Sequence, residues 1–149
     1  MRIVLDTNIL VRAAANEQGL AGKLLQVIAS GPHVLVSSPY ILSEVARVLN
    51  YVRLQARWHL GEKTVREFVS RVGDIAEIVL TTTPDRIVVA DPDDDPIVQT
   101  ATLGRVDVLC TRDAHLLDRA VVDYCASQGV QVMNDIDVYH ILTGRPEGG

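Results

Sequence analysis

No apolar run in this 149-residue chain approaches the roughly 20 residues that a membrane-spanning helix requires, although 48% of its residues are hydrophobic. That excludes a helical membrane protein and leaves enough apolar side chain for one sizeable core, in too short a chain for two ordinary domains. Cysteine is scarce: Cys110 and Cys125 are the only two. They are too few for a disulfide framework, and each falls in a segment read as buried, one ending a strand and one inside a helix. A signal-peptide pattern is missing, which makes the cytoplasm the expected location. Linkers, low-complexity tracts and internal repeats are missing too, so residues 1–144 are expected to form one domain and 145–149 a disordered tail. Positive charge is in short supply, with 14 Lys and Arg against 19 Asp and Glu and a net charge of −5. Such a balance normally argues against a polyanionic partner. It does not decide the matter here, because much of the acid is concentrated in a few places.

What is present is a regular alternation of strand and helix signals. Arg2–Leu5 is a short, largely β-branched run, and Asn8 is placed to cap a helix starting at Ile9. Gly19 to Ala29 reads as a helix closed at Gly31-Pro32, Val34 to Val36 as a strand, and Pro39 to about Asn50 as a helix with Ser38 as its cap. Helical patterns follow at Glu62–Val72, at about Ile97–Leu103, from Ala114, at Ala120–Ser127 and at Asn134–Leu142. Strand patterns lie at Glu77–Leu80, Val106–Cys110 and Val130–Val132. Alternation of this kind predicts an α/β fold, a parallel sheet with helices on both faces.

Acids recur where such folds do chemistry. Asp6 leaves the first strand beside a helix N-terminus, and Asp113 repeats that setting after Val106–Cys110. Glu44 lies beside the apolar stripe of its helix. Asp91, Asp93, Asp94 and Asp95 crowd four carboxylates just ahead of a helix; their mutual repulsion needs a compensating charge, which a hard divalent cation supplies better than a helix dipole. Each acid alone also has a plain structural reading: a turn or cap for Asp6, a solvated helix residue for Glu44, a charged loop for the cluster. Because parallel strands present their carboxyl ends along one edge, the four positions together make a candidate metal site.

With these residues in view, the chain resembles PIN-domain proteins of the kind labelled as toxins of toxin–antitoxin systems. The resemblance rests on Asp6-Thr7-Asn8, Ser43-Glu44-Val45, the cluster before the helix and Thr111-Arg112-Asp113, in the family's order across nearly the whole chain. It implies a three-layer α/β/α sandwich around a central, mainly parallel sheet. It also implies a ribonuclease dependent on Mg²⁺ or Mn²⁺, acting on an RNA substrate, with an antitoxin protein as partner and a homodimer as the assembly. Counting from Ala101 and Asp113, Asp94 fits the third acid's place best; Pro96 in the first helical position would make Asp95 the cap.

Asp6, Glu44, Asp94 and Asp113 are therefore the expected metal-binding and catalytic residues. Asn8, Thr111 and Asp95 stand behind them as groups that orient the carboxylates. Arg112, beside Asp113, is expected near a scissile phosphate. Arg47, Arg53, Arg57, Arg66 and Arg71, with Trp58 among them, suit phosphate contact and base stacking, but read more simply as solvated helix faces and a core aromatic. Two alternatives stand. One is a PIN-like module that binds RNA or an antitoxin without cleaving. The other, a haloacid-dehalogenase-like phosphotransferase, wants a second Asp where this chain has Asn8.

Overall fold

The computed structural model describes residues 1–51, 59–82 and 95–144. Five strands form one parallel sheet: β1 (Arg2–Leu5), β2 (Val34–Ser37), β3 (Glu77–Ile78), β4 (Val108–Cys110) and β5 (Gln131–Met133), in the order β3-β2-β1-β4-β5. In register, Ile3 lies opposite Leu35 on one side and Val108 on the other, and Leu5 opposite Cys110. The central strands are apolar on both faces, with Ile3, Val4, Leu5, Leu35, Val36, Leu109 and Cys110 all buried, as strands covered by helices must be.

Among the described residues six helices connect the strands and a seventh follows β5. α1 (Thr7–Ala15), α2 (Leu20–Ser30), α3 (Pro39–Leu49), α4 (Glu62–Ile75) and α7 (Asp135–Thr143) pack on one another in a continuous layer. α5 (Asp95–Leu103) lies against β1, β2 and β4, and α6 (Arg119–Ser127) against β5. Right-handed crossovers require this division, since the chain moves one way along the sheet from β1 to β3 and the other way from β4 to β5. The result is the α/β sandwich that the alternation predicts.

Local chemistry explains most boundaries. Ser38 caps α3, its Oγ accepting from Ile41 N at 3.4 Å, and Pro39 takes the first helical position. Val65, Phe68 and Val72 put one stripe of α4 into the core. Gly144, at φ 65°, closes α7 in the left-handed region that favours glycine.

Several boundaries differ from the sequence reading, four of them instructive. The first helix begins at Thr7, not Ile9, and its cap is Asp6, whose side chain accepts from Thr7 N; a carboxylate at the strand exit reaches the free amide before Asn8 can. Residues 114–117 form a turn and the next helix starts at Arg119, because Asp118 caps it through Ala120 N. Helical structure is already present at Asp95, two residues before Ile97, so Asp95 lies inside α5 and does not precede it as its cap. The third strand stops at Ile78 rather than Leu80. Asp91, Asp93, Asp94, Arg53, Arg57, Trp58 and the 145–149 tail lie outside the described residues.

Candidate active site

The strand order reverses between β1 and β4, where connections leave in opposite directions. In open α/β sheets that switch point opens a crevice at the carboxyl ends of the strands. Asp6 and the Thr111-Arg112-Asp113 turn occupy the two sides of it.

Asp6 is held rigidly. Its backbone N donates to Cys110 O at 2.9 Å, Ile9 N and Leu10 N donate to its carbonyl, and its carboxylate takes two further bonds. Thr7 N donates to Oδ1 at 2.7 Å and Thr111 Oγ1 to Oδ2 at 2.7 Å. The carboxylate is only 3% exposed. Burial pushes its pKa above the ordinary value; the bonds from Thr111 and Thr7 oppose that shift, and the nearby charge of Asp113 adds to it. Among the described residues no cation pairs with Asp6.

Thr111 links the two acids. While donating to Asp6, its hydroxyl accepts from Asp113 N at 2.9 Å. Asp113 in turn holds the turn that follows, Oδ1 accepting from His115 N at 2.8 Å. Cys110, which ends β4, is buried; burial pushes its thiol pKa up, with Asp135 and Asp6 adding to it.

Of the residues singled out in the sequence, the structure thus brings together Asp6, Thr111 and Asp113. Glu44 is half-buried, and its carboxylate is gripped by Arg47 in a fork, Nε to Oε1 at 3.2 Å and Nη2 to Oε2 at 2.9 Å. Asn8 is exposed and bonds to neither carboxylate. Asp95 is buried at the start of α5. That helix is tied to the start of α3 by Thr100 Oγ1, which donates to Ser38 Oγ at 2.8 Å. Among the described residues no three His, Cys, Asp or Glu side chains converge as a metal cluster; Asp94, the expected third acid, is not among them. Arg66 and Arg71 make loose surface pairs with Glu62 and Glu17, at 4.0 and 3.8 Å.

A model of the family described as PIN domain matches residues 2–115. The chain belongs to the PIN-domain family. The match takes in Asp6, Glu44, the acidic cluster and Asp113. PIN domains are generally nucleases that use divalent metal ions; they bind nucleic acid and often antitoxins. No curated protein and no solved structure matched the chain. Among the described residues no helix is long and apolar enough to cross a membrane.

One buried acid escaped the sequence reading. Asp135 opens α7 after β5, 1% exposed, and its Oδ1 accepts from Arg112 Nε at 2.6 Å and from Ile136 N at 3.2 Å. The signal was there: Asn134-Asp135 follows a strand and opens a helix, the setting that drew attention to Asp6.

The donor set fits a hard divalent cation. Asp6 offers carboxylate oxygens at the end of β1 and Asp113 in the turn after β4, and Asp6 is buried with, among the described residues, only neutral hydrogen-bond donors to offset its charge. Thr7 Oγ1 and Ser37 Oγ, buried at the exits of neighbouring strands, have no hydrogen-bond partner among the described residues. Such unspent capacity suits the water shell that Mg²⁺ retains.

Proposed function

We propose that this PIN-domain chain is a ribonuclease dependent on Mg²⁺ or Mn²⁺ that hydrolyses phosphodiester bonds at the β1/β4 crevice. The observation that carries the reading is the chain of hydrogen bonds from the Asp6 carboxylate through the Thr111 hydroxyl to the Asp113 backbone, at a buried acid that no basic group among the described residues neutralises.

Asp6 and Asp113 would hold the ion, with Asp94 and Glu44 as the further acids that complete the set. The ion supplies a water nucleophilic at neutral pH and neutralises charge that builds on the phosphate. The chain's own residues supply order. Thr111 fixes the Asp6 carboxylate and the Asp113 backbone with one hydroxyl, which orients the first acid and places the turn that carries the second. Arg112, next along the turn, is anchored by Asp135 and would add positive charge for the substrate strand beside the crevice. Glu44 joins only by releasing or sharing Arg47, whose own side chain is exposed. Its role is then to orient the attacking water.

A role as the toxin of a toxin–antitoxin pair, with an antitoxin bound and the chain dimeric, extends this reading. A module that binds RNA or an antitoxin without cleaving it is the alternative. One assay separates cleavage from mere binding: purified protein is incubated with a mixed RNA pool in Mg²⁺, Mn²⁺ or chelator, alongside Asp6→Asn. Metal-dependent fragments from the wild type alone support the proposal. An intact pool under every condition sinks it.

A further inference from the structure

Beside the acidic crevice lies a second concavity, a cleft of about 510 Å³ whose lining includes Arg12, Asn16, Gly19, Leu20, Arg112 and Asp135. The last turn of α1, the first turn of α2 and the start of α7 meet there. Its donors outnumber their partners. Arg12 is exposed and makes no hydrogen bond or ion pair with a described residue. Arg112 is anchored by Nε alone to the buried Asp135, which leaves its two terminal nitrogens without a bond to a described residue while the side chain is 39% exposed. Gly19 caps α2 with no side-chain bond, so no side chain caps the first amides of that helix among the described residues.

Charge favours an anion. Asp135 and Arg112 cancel, the negative end of α1 is offset in part by Arg12 in its last turn, and the positive end of α2 remains. Burying a carboxylate is costly. Here the result is one guanidinium held at the cleft rim, its planar donor edge ready for phosphate oxygens.

We propose that the cleft is a phosphate subsite that takes a phosphate of the nucleic-acid strand removed from the one at Asp6 and Asp113. Arg12 is six positions beyond Asp6 on α1, about 9 Å along the axis at 1.5 Å per residue. That corresponds to about two or three stacked nucleotides at 3.4 Å each. The identity of the strand rests on the nuclease reading; the anion site does not.

The test uses the full chain in chelator, where cleavage is suppressed, and short single-stranded oligoribonucleotides carrying either a 5′-phosphate or a 5′-hydroxyl. Arg12→Gln, on an exposed position, is expected to weaken binding about five- to tenfold and to lower the slope of log K against log salt by roughly 0.7. Arg119→Gln, on α6 across the sheet, removes the same charge and is expected to change neither. Equal sensitivity of both oligonucleotides identifies an internal phosphate, and sensitivity of the 5′-phosphorylated one alone a terminal phosphate; either supports the subsite. Arg12→Gln binding within twofold of wild type at an unchanged slope overturns it, as does a wild type that binds neither oligonucleotide. If wild type cleaves RNA in Mg²⁺ while Arg12→Gln binds normally, the subsite falls and the nuclease reading stands. If nothing cleaves yet Arg12→Gln weakens binding, the reverse holds.

Discussion

Asp6 at the end of β1 and Asp135 just past the end of β5 are both buried carboxylates at the carboxyl edge of one sheet, 3% and 1% exposed. Each caps or opens a helix, and each accepts two hydrogen bonds through its side chain. They differ in what offsets the charge. Asp135 has a permanent cation, the Arg112 guanidinium at 2.6 Å. Among the described residues Asp6 has two neutral donors only; burial, helped by the charge of Asp113, raises its proton affinity against the opposing pull of those donors. A buried charge with a fixed partner is part of the architecture, whereas one without a cation is open to an exchangeable one, a proton or a metal ion.

Substitution at the two sites breaks or sharpens that contrast. Asp6→Asn is expected to lower metal-dependent RNA cleavage by more than about 10²-fold, several kcal/mol of lost charge stabilisation, while its circular dichroism spectrum matches that of wild type. Asp135→Asn should fall well short of that loss at saturating RNA; if the two variants lose cleavage equally, the contrast is wrong. Thr111→Val removes the hydroxyl between Asp6 and Asp113, and a 10- to 100-fold weaker metal dependence is expected from a titration of activity against Mn²⁺.

Stability separates the sites next. Asp135→Ala leaves Arg112 without its partner and should cost about 1 to 3 kcal/mol in urea unfolding, whether or not divalent ions are present. Asp6→Asn should behave oppositely: in chelator it matches or exceeds wild type, and adding Mg²⁺ or Mn²⁺ stabilises wild type selectively.

The smallest effect is in pH. Because the folded-state pKa of Asp6 is raised, folded protein holds the proton more tightly than unfolded chain does. Stability in chelator should therefore decline as pH rises from the ordinary carboxylate value of 3.8 through the raised one. Asp6→Asn lacks this decline, so the difference between the two unfolding curves should grow across that window and then level off. A constant difference would mean that the carboxylate titrates normally.

How far this contrast was legible in sequence depends on the range of the interaction. Asp6 and Asp113 stood out because strand-exit acids are a local pattern. The Ser38-Pro39 start of α3 and the Gly144 end of α7 were likewise readable, since caps act within a turn. In sequence Asn8 suits the cap that Asp6 makes, because both residue types fit the position and only the backbone course decides between them. Ala114 to Leu117 carry apolar spacing that suits a helix, but Asp113 and Asp118 each take a backbone amide and confine the segment to a turn. Asp135 reads locally as no more than the start of a terminal helix, its partner Arg112 being 23 positions away.

The sequence by itself determined the alternation of elements, the buried character of the central strands and the family, because periodicity, caps and motif order are written in neighbouring residues. Tertiary structure decided which acids meet. Thr111 bonds Asp6 across 105 positions only because β4 pairs with β1. It also decided that Arg112 and Asp135 neutralise each other while Asp6 has no cation among the described residues. Whether a carboxylate is spent or available depends on burial and on the charge beside it in space, and neither is a property of its place along the chain.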